Sequence, residues 1–189
     1  NEGCADGSQP TIDCVLIETM NDGYESKAAV LAAKEIRKEL NIPQNDLPII
    51  VSNVYDKECR TLSGSTPETM VAMLEGLGVS AVGVNCSIGP LDMKETVRRL
   101  CAAATVPVLV KPNAGLPKVV DGRTIFDVPA PQFVEAMQEL ARLGPSILGG
   151  CCGTTPEYIK GISKAIGGEW LPLGGTLLPP TPSNGGHPR

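Results

Sequence analysis

Short runs of apolar residues recur along the chain about every 30 residues, and each is followed by a longer stretch with helical spacing. The runs are continuous rather than alternating, which is typical of strands buried on both faces of a parallel sheet. They predict five strands, at residues 12–17, 48–52, 80–85, 106–110 and 146–148. The stretches between them, where apolar residues recur at intervals of three and four, predict helices at 24–40, 70–77, 91–103, 131–143 and 158–166.

Five successive strand–helix units predict an α/β fold with parallel strands. Two architectures fit this pattern: a five-stranded doubly wound sheet, or five-eighths of a (β/α)8 barrel. In both, a functional site lies at the carboxyl ends of the strands. The units occupy residues 12–166, and we expect an irregular lead at 1–11 and a flexible tail, rich in Gly and Pro, at 167–189.

Composition excludes several classes of function. The net charge is −5 and aromatic residues make up only 3%, so nucleic acid is not an expected partner. The apolar runs are strand-sized and no secretion signal is recognisable, so we expect a cytoplasmic protein without a membrane partner. Seven cysteines in such a chain are more typical of a metal site, catalysis or core packing than of disulfides. The one histidine, His187, is in the tail, which excludes Ser-His-Asp and Cys-His catalysis.

Polar or thiol-bearing residues follow all five predicted strands. They are Glu18, Ser52, Asn53, Asn85, Cys86, Lys111, Asn113, Cys151 and Cys152. Three thiols from two strand ends match what a catalytic zinc needs, namely three protein ligands and one open position. Three other interpretations remain open: Cys86 as a small core residue, Cys151 and Cys152 as a structural or disulfide-bonded pair, and the same pair as a redox dithiol.

The two adjacent cysteines lie in a glycine-rich segment, GGCCGTTP, at residues 149–156. Neighbouring residues of a regular strand point to opposite faces, so both thiols can reach one ion only if the backbone leaves strand geometry. Glycine provides that freedom. Thr154 or Thr155, followed by Pro156 and Glu157, predicts a helix that begins with a hydroxyl N-cap.

Two motifs resemble the zinc motifs of the homocysteine S-methyltransferase family. They are GVNCSIGP at 83–90 and GGCCGTTP at 149–156, and they are supported by LIETM at 16–20, RTLSG at 60–64 and KPNAGLP at 111–117. The last of these is similar to the homocysteine-binding module of cobalamin-dependent methionine synthase. The resemblance is collinear from residue 13 to residue 166.

The resemblance implies a partial (β/α)8 TIM barrel made of its last five strand–helix units, with zinc held by Cys86, Cys151 and Cys152. Glu18 matches the acid that recognises the homocysteine amino group. Asn113 matches a residue at the metal pocket and Asn85 directly precedes the first zinc ligand, and both are expected to bind substrate. The implied activity is transfer of a methyl group to the thiol of homocysteine to give methionine. No separate catalytic residue is expected, because a zinc-bound thiolate is itself the nucleophile.

The methyl donor implied by the resemblance is a corrinoid, methylcobalamin on another domain or chain, or a small methyl compound. The family pattern also has three strand–helix units before the one that begins near Ile12. The first of them carries a glycine-rich turn that the resemblance assigns to the substrate carboxylate. We therefore expect a fragment or one half of a split protein, whose partner is the missing N-terminal barrel portion. The alternative is a zinc-binding remnant without activity of its own.

Overall fold

The computed structural model describes residues 12–167, so the expected lead and the expected tail beyond Gly167 lie outside the described residues. The described part confirms the five predicted strand–helix units and adds two strands. The strands are β1 (Val15–Met20), β2 (Ile49–Asn53), β3 (Ala81–Asn85), β4 (Val108–Lys111), β5 (Pro117–Val120), β6 (Arg123–Phe126) and β7 (Ile147–Leu148). The helices are α1 (Gly23–Glu39), α2 (Pro67–Gly76), α3 (Lys94–Ala103), α4 (Ala130–Ala141) and α5 (Pro156–Ile166).

Five strands form one parallel sheet in the order β1-β2-β3-β4-β7. This order follows the chain, which excludes the doubly wound alternative, because a doubly wound sheet reverses its strand order at a switch point. Parallel crossovers are almost always right-handed, so a sequential order places the helices on one face. Accordingly, α1 contacts α2, α2 contacts α3, and α4 contacts α5.

The central strands form the core, whereas β1 is an exposed edge. All five residues of β3 are buried, and β2 and β4 are buried over most of their length. On β1, Leu16 keeps 41% of its surface exposed, and Tyr24 of α1 and Leu40, the C-cap of α1, are 85% and 64% exposed. No helix between residues 12 and 167 is both long and apolar enough to cross a membrane.

The segment between β4 and α4, where the sequence pattern predicts neither a strand nor a helix, contains an antiparallel hairpin of β5 and β6. Its turn is Asp121-Gly122, with φ of 49° and 72°. Positive φ at both turn residues is the conformation that an Asp-Gly pair favours between two strands. This signal was present in the sequence, but the exposed, mixed composition of the two strands masked it.

Gly83, in the middle of β3, is required by the close approach of β4. A Cβ atom at this position would lie 2.3 Å from the carbonyl oxygen of Leu109 and 2.7 Å from its Cβ. We expect Gly83→Ala to lower the free energy of unfolding by about 1–3 kcal/mol through overpacking, measured by denaturant unfolding. Gly76→Ala, at a helical glycine with open space around it, is the matched control and should be neutral or stabilising. Equal effects of the two substitutions would contradict this explanation.

Candidate metal centre

Three thiols meet at the carboxyl edge of the sheet. The Sγ atoms of Cys86 and Cys152 are 3.7 Å apart and those of Cys151 and Cys152 are 3.9 Å apart. All three lie within 4.8 Å of one another. Two sulfurs bound about 2.3 Å from one tetrahedral zinc lie about 3.8 Å apart. All three cysteines are free thiols, so this cluster can hold a metal ion such as zinc.

The segment that follows β4 holds both thiol-bearing segments through its backbone. The carbonyl oxygen of Lys111 accepts a hydrogen bond of 3.1 Å from the Cys86 amide. Pro112 accepts one of 2.9 Å from Cys151, and the Ala114 amide donates one of 2.9 Å to the Cys152 carbonyl. Because β4 lies between β3 and β7 in the sheet, the short segment after β4 can bind the backbone on both sides. It thereby fixes the distances between the three sulfur atoms.

The first thiol lies in a tight turn at the end of β3. Cys86 and Ser87 have φ of 61° and 62°, in the left-handed region that residues with a side chain rarely adopt. The turn is closed by a 2.8 Å hydrogen bond from the Ile88 amide to the Cys86 carbonyl. This backbone turns the Cys86 side chain away from its strand direction and toward Cys152.

The double-cysteine segment leaves strand geometry, as the sequence predicted. Gly153 has a φ of 80°, and a Cβ on Gly150 would lie 2.5 Å from Oγ1 of Thr154. The expected hydroxyl N-cap of α5 is wrong. Thr155 occupies the cap position but its side chain makes no cap hydrogen bond, and the Thr154 hydroxyl donates to the Cys151 carbonyl at 2.7 Å. The Thr154 hydroxyl thus stabilises the thiol turn, not the helix.

Glu18, the expected amino-group acid, pairs with the Lys111 ammonium. The two side chains come from β1 and β4, which have β2 and β3 between them. The ion pair therefore spans two strands on one face of the sheet. The Glu18 and Lys111 side chains are 32% and 20% exposed. Lys111 follows a predicted strand, but no signal in the sequence indicates a role for it or pairs it with Glu18.

The two asparagines lie beside the thiols with their side chains buried. Asn113 accepts a 3.1 Å hydrogen bond from the Cys152 amide, so it supports the thiol segment directly. The amide nitrogen of Asn85 is 3.8 Å from the Cys151 sulfur and also binds the Thr19 hydroxyl. Whether either asparagine contacts substrate stays a prediction.

Burial and the two neighbouring thiols raise the proton affinity of Cys152. The pKa of the Cys152 thiol is raised to about 11, first by desolvation and then by the hydrogen bond with Cys86 and the neighbouring Cys151 thiol. Without a metal this thiol is protonated at neutral pH. A bound metal would have to displace its proton.

Comparison with known proteins identifies relatives with matching sequences. The family model described as homocysteine S-methyltransferase matches residues 3–166. Methionine synthase of Mycobacterium leprae (strain TN) is 36% identical over 155 residues, and methionine synthase of Mycobacterium tuberculosis (strain ATCC 25618 / H37Rv) is 34% identical over the same length. Each match covers 82% of this chain but 13% of the relative. The chain therefore spans a small part of the curated relatives that it matches.

Solved structures show the same fold at lower identity. The apo form of the homocysteine methyltransferase MmuM from Escherichia coli has a TM-score of 0.61 at 22% identity, covering 81% of this chain and 49% of that chain. Its metallated form has a TM-score of 0.60 at 23% identity, covering 80% and 44%. The described sheet and helices thus correspond to part of that fold.

Substituting one thiol tests whether the cluster binds metal as a unit. We expect the chain to bind one zinc ion, and Cys86→Ser to weaken binding by more than the roughly 10- to 100-fold that outer-shell changes cost. Zinc content and competition with a chromophoric chelator measure this. Cys14→Ser is the control and should keep wild-type zinc affinity, because Cys14 directly precedes β1 and therefore lies at the amino end of a strand, away from the thiols. Unchanged zinc affinity in Cys86→Ser would refute the three-thiol site and favour a dithiol at Cys151 and Cys152.

Proposed function

Because the chain belongs to the homocysteine S-methyltransferase family, we propose that it supplies the metal-binding portion of an enzyme that methylates the thiol of homocysteine to give methionine. The observation that carries this proposal is the meeting of three free thiols, from two strand ends, at spacings suited to one tetrahedral ion. A redox dithiol would need only Cys151 and Cys152 and would leave the approach of Cys86 unexplained.

Cys86, Cys151 and Cys152 would hold the zinc ion. When bound, zinc lowers the pKa of a substrate thiol, so that the thiol reacts as a thiolate at neutral pH. Three protein thiolates leave such a site electron-rich, which favours a nucleophilic sulfur. The sequence has no histidine besides His187, and this chemistry needs no imidazole base.

Glu18 would bind the amino group of homocysteine. Its carboxylate is held by Lys111 in the free chain, so an incoming ammonium would replace the lysine as its partner. The released Lys111 then leaves a positive charge beside the substrate. Exchange of one ion pair for another avoids leaving a half-buried carboxylate without a countercharge.

The five parallel strands would form part of a (β/α)8 barrel, namely its last five units. With a sequential strand order and helices on one face, the other face of the sheet can line the interior of a closed barrel. The exposed β1 edge would be covered by preceding strand–helix units, on the same polypeptide or on a partner. The likeness to methionine synthases favours methylcobalamin, on another domain or chain, as the methyl donor; a small methyl compound is the alternative.

A second candidate function is zinc binding without turnover by this chain alone. It is favoured by the free edge of β1, which pairs with no further strand among residues 12–167, and by the exposed apolar side chains of Leu16 and Tyr24. In this case methyl transfer requires assembly with the three further strand–helix units of the family pattern, whether these belong to the same polypeptide or to a partner.

The role of Glu18 can be tested with matched ligands. In the zinc-loaded chain, Glu18→Gln should weaken homocysteine binding by about 10- to 100-fold, because a hydrogen bond to a charged group contributes about 1.5–3 kcal/mol. Calorimetry measures the affinity, and repeating it in buffers of different ionisation enthalpy counts the proton that the thiol releases. Binding of 4-mercaptobutanoate, which lacks the amino group, should not change. An equal loss for both ligands would contradict amino-group recognition.

Assembly can be tested by supplying the missing units. We expect the chain alone to bind zinc but to form methionine slowly, and activity to rise when a polypeptide with the first three strand–helix units of a family member is added. The rise should depend on the concentration of that polypeptide and should be abolished by Cys86→Ser. Full activity of the isolated chain, unchanged by the addition, would show that the described units suffice.

A further inference from the structure

The Asn85 side chain joins three strands to one of the thiols. Its Oδ1 accepts hydrogen bonds of 3.1 Å from the Thr19 amide and 2.6 Å from the Ser52 hydroxyl. Its Nδ2 donates to Oγ1 of Thr19 at 2.8 Å and to Sγ of Cys151 at 3.8 Å. The residue is completely buried. It therefore connects β1, β2 and β3 with the turn that follows β7.

The orientation of this carboxamide follows from its partners. The Thr19 amide can only donate, so the oxygen of Asn85 must face it and the nitrogen must face the sulfur. A carboxamide has two donor hydrogens and two acceptor lone pairs, and all four are used here. The polar atoms of Asn85 are therefore all engaged by groups of this chain, which indicates a supporting role in addition to the substrate contact that stays a prediction.

We propose that Asn85 is a positioning residue, which orients the Cys151 sulfur toward the metal and ties it to the strand end that carries Glu18. This inference rests on the proposed zinc site. The amide hydrogen bond draws electron density from the sulfur lone pair and fixes the Cys151 side chain. Outer-shell hydrogen bonds of this kind orient metal ligands and tune their donor strength.

The link to the substrate side runs through Thr19. This residue follows Glu18 directly and has a φ of 62°, which a threonine adopts only when its surroundings hold it there. Both its amide and its hydroxyl are bound by Asn85. The same side chain therefore sets the position of one metal ligand and the backbone conformation next to the acid.

The chain offers a matched control at the end of the neighbouring strand. Asn53 is the last residue of β2 and is 1% exposed. Its amide also reaches β1 and α1, donating to the Met20 carbonyl at 3.3 Å and to the Ser26 hydroxyl at 3.1 Å. Within residues 12–167, the Asn53 side chain makes no hydrogen bond to a sulfur. Its removal should cost similar stability without affecting the metal site.

The test uses Zn²⁺ and the spectroscopic probe Co²⁺ with the full chain and with Asn85→Ala and Asn53→Ala. We expect Asn85→Ala to weaken zinc binding by about 10- to 100-fold in a chelator competition. Its sulfur-to-cobalt charge-transfer band should move to longer wavelength, because the sulfur lone pair is no longer stabilised by an N–H donor. Asn53→Ala should keep the wild-type band and affinity, even where its thermal stability falls equally.

A wild-type band and zinc affinity in Asn85→Ala would overturn the positioning role while leaving the zinc site intact. Failure of the unsubstituted chain to bind either metal would instead overturn the proposed zinc site and, with it, this role. Should Asn85→Ala not fold, Ser52→Ala replaces it in the test, because it removes the hydrogen bond from the Ser52 hydroxyl that holds the Asn85 carboxamide. A smaller band shift in the same direction supports the role, and an unshifted band counts against it.

Discussion

Backbone hydrogen bonds from residues 111–114 hold the candidate metal centre together. This segment leaves the sheet between the two strands that deliver the thiols, and it binds Cys86 on one side and Cys151 and Cys152 on the other. Hydrogen bonds between backbone groups fix position more firmly than exposed side chains do, because backbone groups have little conformational freedom to lose. The spacing of the sulfurs therefore depends on the register of the central strands.

Local conformations of high energy lie close to this segment. Thr19, Cys86 and Ser87 all have positive φ, and all lie at the carboxyl edge of the sheet. Such conformations persist when hydrogen bonds from surrounding elements hold them. Here, Asn85 holds Thr19, and the Lys111 carbonyl holds the Cys86 amide. Asn85 and the segment after β4 together hold the thiols and the end of β1, which carries Glu18, in one arrangement.

The thiols and Glu18 lie in different parts of the sheet, so this chain can contain a metal site without containing everything that methyl transfer would need. The thiols come from the central strand β3 and from β7 at one edge, so the described strands contain the complete thiol set. Glu18 is on β1 at the other edge, so the proposed homocysteine site would lie between that edge and the thiols. The units expected beyond β1 would therefore complete the substrate side more than the metal side.

The sequence by itself determined the five strand–helix units, because continuous apolar runs and helical periodicity are local signals of burial. It also placed Cys86, Cys151 and Cys152 after strand ends, where a parallel fold could bring them together, but it left a core role for Cys86 and a dithiol of Cys151 and Cys152 open. Local signals could not choose between a sequential and a doubly wound strand order, since both use the same units. Only the tertiary structure paired Lys111 with Glu18, turned the Thr154 hydroxyl to the Cys151 carbonyl and placed Asn85 between Thr19, Ser52 and a sulfur. These contacts join residues far apart in the chain, and they depend on strand order, register and backbone turns, which side-chain patterns along the sequence do not encode.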